Sequence, residues 1–393
     1  MSITSYDRTA GLDDGDKVRV LPILGKGSDE CKPNHQARMK RIQELDGLRA
    51  IAALMVIAWH YIGIPDGPDF WLWNIFYLGH FGVDLFFVLS GFLITTILLE
   101  NRASDTFFSS FYGRRAFRIW PLYYLMCAVC LIGWLSGASP TLFQGVVPGW
   151  TYVFGIQNFW MAKLQNYGVY WLAGTWSLAI EEQFYLVFPL IVRSVPVDRL
   201  PKILMAAIVI CPLGRLIDSF TGDQFGYYVL PQFRADVLSI GALVAWWRLY
   251  GVQDPAISRN VKRVLVASLA LPPLIWLSGS RTFHAAAWQH TFAAVFFGAL
   301  LYWVLQRQGA SSLKWLRGPV ASFFAKTSYS AYLTHHWVAY LVFATLGIER
   351  TVRTFSGMAA TLAAAAVTFG LCALSYRYLE KPLIEFAHRR FRF

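Results

Sequence analysis

The sequence predicts an all-α protein, a polytopic membrane helix bundle of about ten spanning helices with N- and C-termini in the cytoplasm. Three observations predict it. Hydrophobic residues make up 56% of the 393 and charged residues only 15%, against about 25% charged in an ordinary soluble domain. Apolar stretches of spanning length, about 20 residues, recur from Leu45 to Tyr376. The basic residues fall in short clusters between those stretches, which is a topology signal. They do not form the continuous stripe that binds nucleic acid, so a nucleic-acid partner is not expected and the lipid bilayer is.

Taken from the N-terminus, residues 1–41 are polar, hold Asp13, Asp14, Asp16, Lys17 and Arg19, and read as a mobile cytoplasmic tail without a secretory signal. A membrane domain follows over 42–382, and 383–393 is a short basic cytoplasmic tail. The spanning candidates are 46–64, 72–99, 117–136, 174–193, 202–219, 234–250, 262–279, 288–306, 323–347 and 357–377. The apolar stretch 142–161 is broken by Pro148, Gly149 and Gly155 and carries Trp150, Tyr152 and Trp160. Charge decides its status. With the N-terminus inside and this stretch not spanning, only Lys163, Arg215, Arg234, Arg281, Arg350 and Arg353 of the 35 Lys+Arg lie outside, as the positive-inside rule requires. Residues 142–161 are therefore expected to be re-entrant or interfacial on the outer side. Of the five cysteines, Cys127 and Cys130 share an apolar helix without metal-ligand partners, and no disulfide framework is implied.

Several ionisable residues fall inside apolar segments, where they are costly and mark function more often than in soluble proteins. Arg49 and His60 are eleven residues apart, close to three helical turns, which places both on one face about 16 Å apart along the axis. Arg49 then lies near the inner surface and His60 in the outer half. Arg114, Arg115 and Arg118 share one side of a helix, if one begins there. Their planar guanidinium groups suit phosphate, so they read either as a topology anchor or as the site of a phosphate-bearing cytoplasmic donor.

Ser177, Glu181 and Tyr185 recur every four residues and form a polar face that turns Glu181 into a protein interior or wet cavity. Glu182 lies in line with Leu178 and Leu186. Both carboxylates are expected toward the outer half, at the depth of His60. Asp84 is a further intramembrane acid, able either to orient His60 or to pair with an arginine. Arg234 and Asp236 are expected to pair with each other. Ser328, Tyr329, Tyr332 and His335 make a polar stripe best read as a structural network, and no metal site is expected from His336 or from His284 and His290, which read as exposed.

Together these segments resemble the acyltransferase-3 family of bacterial integral membrane acyltransferases, over about 42–382. The resemblance rests on Arg49 and His60 with ten residues between them, and on the Gly82-Val-Asp-Leu-Phe-Phe-Val-Leu-Ser-Gly91 stretch. It also rests on Arg114 to Arg118, Trp176 to Tyr185, Ser328 to His335 and Glu380-Lys-Pro382. The longer polar N-terminus departs from the family pattern. No soluble domain is expected after the last helix, a second departure, and that leaves acceptor handling open.

The resemblance implies a bacterial cytoplasmic (inner) membrane enzyme that uses acyl-coenzyme A, most often acetyl, as co-substrate, with no bound cofactor. Its acceptor would be a hydroxyl of a cell-surface or secreted glycan, a glycolipid or a glycosylated small molecule. A hydroxyl needs a base, and histidine, with a reference pKa near 6.5, suits neutral pH. His60 is the expected base. Glu181 or Asp84 would orient it, although Glu181 could equally bind acceptor hydroxyls. Arg49, Arg114, Arg115 and Arg118 would hold the donor, with Glu182, Ser177, Tyr185, Arg234, Asp236 and His335 in acceptor or structural support. The competing class is a transporter or flippase, because intramembrane His, Glu and Arg also line transport paths.

Overall fold

The computed structural model describes residues 42–67, 72–220, 225–251, 255–268 and 283–393. Among them every regular element is helical. The expected tail over 1–41 lies outside the described residues. Helix α1 (Gln43–Ala58) runs on through a π turn (Trp59–Gly63) into a last short turn (Ile64–Asp66). Next come α2 (Gly82–Glu100), entered through a 3-10 turn at Leu78–Phe81, and α3 (Phe107–Leu135). They are followed by α4 (Gln157–Leu164), α5 (Thr175–Ser194), α6 (Leu200–Ser219) and α7 (Ala235–Tyr250). The chain ends with α8 (Pro255–Ser268), α9 (Phe283–Gln306), α10 (Pro319–Leu346), α11 (Phe355–Ser375) and α12 (Lys381–Arg390).

Among the described residues six stretches are long and apolar enough to cross a membrane: Gln43–Asp66, Ile75–Glu100, Phe107–Leu135, Leu200–Ser219, Ala287–Gln306 and Phe355–Arg390. Three more expected spans are helices of a different kind. The α5 helix carries Glu181, Glu182 and Arg193, α10 carries its stripe of Ser, Thr and His, and α7 has 16 residues. Of the expected span 262–279, α8 supplies the part up to Ser268, and the rest lies outside the described residues. Residues 142–161 form no continuous helix. The chain there makes short helices at Pro140–Phe143, Gly149–Val153 and Gln157–Leu164, broken where Pro148 and Gly155 stand.

The core forms around α2. Its Leu85, Phe87, Val88, Leu89, Phe92, Ile94 and Leu98 are all buried, as expected of a helix apolar on every side. Packing between apolar helices depends on small residues that let backbones approach. Gly91 of α2 lies against the Leu238 carbonyl of α7, and Gly241 of α7 against the Val88 carbonyl of α2, with no space for a Cβ at either. This reciprocal contact brings Asp84 and Arg234, at the same ends of the two helices, within bonding reach. Helix α1 packs on α2 and on α10, and α10 also packs on α11.

Residues 383–393 do not trail away from the bundle: α12 continues from the π turn at Tyr376–Glu380, and the segment after it returns to α3. There Thr106 and Ser110 donate to the Arg392 carbonyl, and Arg114 donates to that of Phe391.

Candidate active site

The polar face predicted on α5 is present. Ser177, Glu181 and Tyr185 all line a partly open cavity between α1, α2, α3, α5 and α10. Arg49, Arg115 and Arg118 line it too, as do Ser90, Ser328, Tyr329 and Tyr332. Helix α3 begins ten residues before the expected 117, so the arginine cluster is helical and Arg115 and Arg118, three apart, face the same space. Arg115 stacks over the Tyr185 ring at 5.4 Å. Glu181 accepts a hydrogen bond from Ser90 at 2.6 Å, and Tyr185 donates to Ser90 at 3.1 Å. The cavity is thus cationic where Arg49, Arg115 and Arg118 meet and closes at a 2.5 Å hydrogen bond between Ser177 and Tyr332.

Tyr332 stands between this cavity and the histidines. The His335 ring lies 5.9 Å from that of Tyr332, and His60 lies 4.9 Å from His335 and 4.2 Å from His336, centroid to centroid. His60 sits in the π turn of α1, where the Ile64 N–H bonds to the Trp59 carbonyl five residues back. Such a one-residue widening frees backbone groups and is frequent at functional sites. Here the freed His60 carbonyl accepts from Arg350 at 2.7 Å.

The tautomers follow from the partners. His60 Nδ1 lies 2.8 Å from the Val56 carbonyl and His335 Nδ1 lies 2.9 Å from the Ala331 carbonyl. A carbonyl only accepts, so both Nδ1 atoms carry a proton. In the neutral rings both Nε2 atoms therefore keep their lone pairs. The single His60 Nδ1 proton goes chiefly to the Val56 carbonyl, with the lone pair of His335 Nε2 as a second acceptor at 3.3 Å, leaving His60 Nε2 as the basic atom. Ring nitrogens of His60, His335 and His336 come within 4.8 Å of one another, a convergence of α1 and α10 that the sequence reading did not anticipate. Three imidazoles can together hold a divalent cation, but the Arg350 guanidinium, bonded to the His60 carbonyl, sets a positive charge beside this set.

Four expectations are corrected. Glu181 does not orient His60: its partner is Ser90, and it lines the arginine cavity rather than the histidine cluster. Asp84 does not orient His60 either; its other expected role, pairing with an arginine, is the one present. It is fully buried, bonded to Arg234 at 2.5 Å and to His290 Nδ1 at 3.0 Å. Arg234 and Asp236 do not pair with each other, because side chains two apart on a helix point to opposite sides. Asp236 instead takes Arg215, at 2.8 Å, and Thr291, while His290, expected to be exposed, is buried against Asp84.

Arg114 stands outside the cavity, with Nε on the Phe391 carbonyl at 2.7 Å and its guanidinium over the Phe393 ring. Glu182 is also off the cavity, accepting from the indole of Trp120 at 2.9 Å. The residues that sequence reasoning passed over are His336, Arg350 and the cavity-closing role of Tyr332. The Tyr-x-x-His-His spacing at 332, 335 and 336 was the available signal for the first and last.

Comparison with known proteins assigns the chain to a family. A family profile described as "Acyltransferase domain" matches residues 42–377. The chain belongs to the acyltransferase-3 family. This acyltransferase-3 chain is 25% identical over 374 residues to O-acetyltransferase OatA of Staphylococcus aureus strain NCTC 8325, covering 89% of the chain and 58% of the relative. It is 29% identical over 365 residues to a putative O-acetyltransferase of S. aureus strain COL, covering 88% and 58%. The acyltransferase-3 region thus spans less than two thirds of the length of these relatives. No solved structure matches the chain.

Proposed function

We propose that this acyltransferase-3 chain is a multi-pass inner-membrane O-acyltransferase. It moves an acyl group, acetyl in the first instance, from acyl-coenzyme A to a hydroxyl of a glycan, glycolipid or glycosylated small molecule. The observation that carries this reading is the cavity that starts at Arg49, Arg115 and Arg118 and closes at Ser177 and Tyr332, with the histidine cluster behind them. Coenzyme A has phosphates at one end and a thioester at the end of a long arm. Its charge and its reactive carbon need sites far apart, joined by a channel.

In this reading the arginines hold the phosphates at the cytoplasmic surface by charge-assisted hydrogen bonds. The arm follows the cavity along α1, and the thioester reaches His60 once the Ser177–Tyr332 contact opens. His60 Nε2 takes the proton of the acceptor hydroxyl as its oxygen attacks the thioester carbon. The C–O bond forms, the C–S bond breaks, and the proton passes from His60 to the departing thiolate. The Val56 carbonyl, with His335 Nε2 as a second and longer acceptor, holds the tautomer that leaves His60 Nε2 basic. The homology to O-acetyltransferases and the ordered motif set support this reading.

The test is the purified protein in detergent with labelled acetyl-coenzyme A and a panel of glycans. Label is expected on a glycan hydroxyl, and lost in His60→Ala. Movement of an intact glycan across a reconstituted bilayer without labelling would replace the enzyme with the transporter.

A further inference from the structure

The arginines on the His60 side of the bundle divide sharply by partner. Arg215 pairs with Asp236, Arg234 with Asp84, and Arg353 with Asp66. Arg350, in the segment between α10 and α11, has no carboxylate partner among the described residues. Its Nη2 donates to the His60 carbonyl at 2.7 Å and its Nη1 to the Tyr170 hydroxyl at 3.2 Å, both neutral groups. Its Nε is buried and has no partner. A sheltered guanidinium without a counter-charge is costly, and the edge formed by Nε–H and one Nη–H is the fork that matches an oxyanion.

The surroundings suit a sugar. The Tyr170 ring lies 5.9 Å from that of His336 and 5.8 Å from that of Tyr340, and Tyr170 donates to the His336 carbonyl at 3.4 Å. Arg350 and Tyr170 therefore hold the His60 turn and the His336 segment together. They also present a cation and two aromatic rings beside the proposed base.

We propose that Arg350 is a binding point for an anionic oxygen group, a carboxylate or a phosphate, carried by the acceptor sugar, and that it sets the acceptor hydroxyl against His60. This rests on the acyl-transfer reading for its purpose, but the binding itself does not. An acceptor arriving from the side opposite the arginine cavity meets Arg350 before His60. Its charge would be neutralised in the complex, and its sugar face would lie on Tyr170 and Tyr340.

The experiment measures dissociation constants, by tryptophan fluorescence and thermal shift, for methyl β-glucuronoside, its carboxamide and glucose 6-phosphate. The protein is wild type, Arg350→Gln, Arg350→Lys or His60→Ala. Wild type is expected to bind the glucuronoside about 10-fold or more tighter than the carboxamide, the lower end of what a charge-assisted bond contributes. Arg350→Gln should bring the two within about 2-fold, and Arg350→Lys should cut the ratio at least about 3-fold, since it keeps the charge but loses the fork. If the glutamine variant does not fold, the lysine variant decides by the same ratio. The phosphate arm shows which anion fits better.

Equal binding of acid and amide by wild type, with the phosphate no tighter, overturns the proposal, as does an unchanged ratio in the Arg350 variants. His60→Ala separates the two readings. It should lose acyl transfer and keep the wild-type ratio, whereas transfer that persists in His60→Ala removes the base and leaves the anion site standing.

Discussion

His335 presents its Nε2 3.3 Å from the Nδ1 of His60, across the contact between α10 and α1. His335 is fully buried and its own Nδ1 is spent on the Ala331 carbonyl. The bond therefore runs one way, and in the proposed reaction His335 would act through His60. His335→Phe is expected to lower kcat roughly 10- to 100-fold, the usual cost of losing an orienting partner, with the KM for the donor nearly unchanged. His335→Gln, whose amide oxygen can accept from His60, should recover much of that loss. Equal damage from both variants, or a rise in donor KM alone, would show that His335 only fills space.

Arg118 and Arg114 are four apart on α3 yet have different surroundings: Arg118 lines the cavity and Arg114 binds the Phe391 carbonyl. Arg118→Ala should remove most of the preference for acetyl-coenzyme A over acetyl-pantetheine, which lacks the nucleotide. A charge-assisted bond to phosphate contributes roughly 1.5–3 kcal/mol, or about 10- to 100-fold in kcat/KM. Arg114→Ala should keep the preference and make the segment after α12 more accessible to protease. If Arg118→Ala harms both donors equally, the arginines are structural.

Glu181 and Glu182 are neighbours on α5 with different roles. Glu181 accepts from Ser90 inside the cavity, and Glu182 accepts from Trp120 away from it. Glu181→Gln is expected to lower acetyl transfer at least about 10-fold by weakening the hydrogen bond accepted from Ser90 inside the cavity, and Glu182→Gln by less than 2-fold. Kinetics of the two variants at saturating donor measure this, and the reverse order would move the functional carboxylate to Glu182.

The buried pair of Asp84 and Arg234 makes a stability prediction. Both side chains are fully buried, and removing one member of such a pair strands the other charge at a cost of roughly 3–5 kcal/mol. Asp84→Asn should lower the melting temperature in detergent, with activity falling only as far as the folded fraction falls. A variant as stable as wild type but inactive would return Asp84 to the catalytic role that its sequence position suggested.

Tyr332 closes the cavity against Ser177 at 2.5 Å. Tyr332→Phe removes that bond while keeping the ring, so water should reach the thioester more readily. Hydrolysis of acetyl-coenzyme A without acceptor is expected to rise relative to transfer. An unchanged ratio would mean that this contact is not the barrier.

Sequence and tertiary structure contributed different parts of this picture. Composition and hydropathy determined a helical membrane protein, because a bilayer accepts only segments that satisfy their own backbone hydrogen bonds. Helical periodicity put Ser177, Glu181 and Tyr185 on one face, and they do line one cavity. The placing of Arg115 and Arg118 together follows from the same local geometry.

Partners across helices were not legible. Asp84 meets Arg234 because Gly91 and Gly241 let α2 and α7 touch backbone to backbone, and a sequence does not state which helices touch. The same holds for His60, whose ring meets His335, 275 residues away, as well as the Val56 carbonyl of its own helix, and neither of the carboxylates, Glu181 and Asp84, that the sequence suggests. The π turn that frees the His60 carbonyl for Arg350 was also hidden, since it adds one residue to a turn without a proline or glycine to mark where it begins. Local periodicity is a property of the chain. Which charge neutralises which, and which ring orients which, is decided by packing.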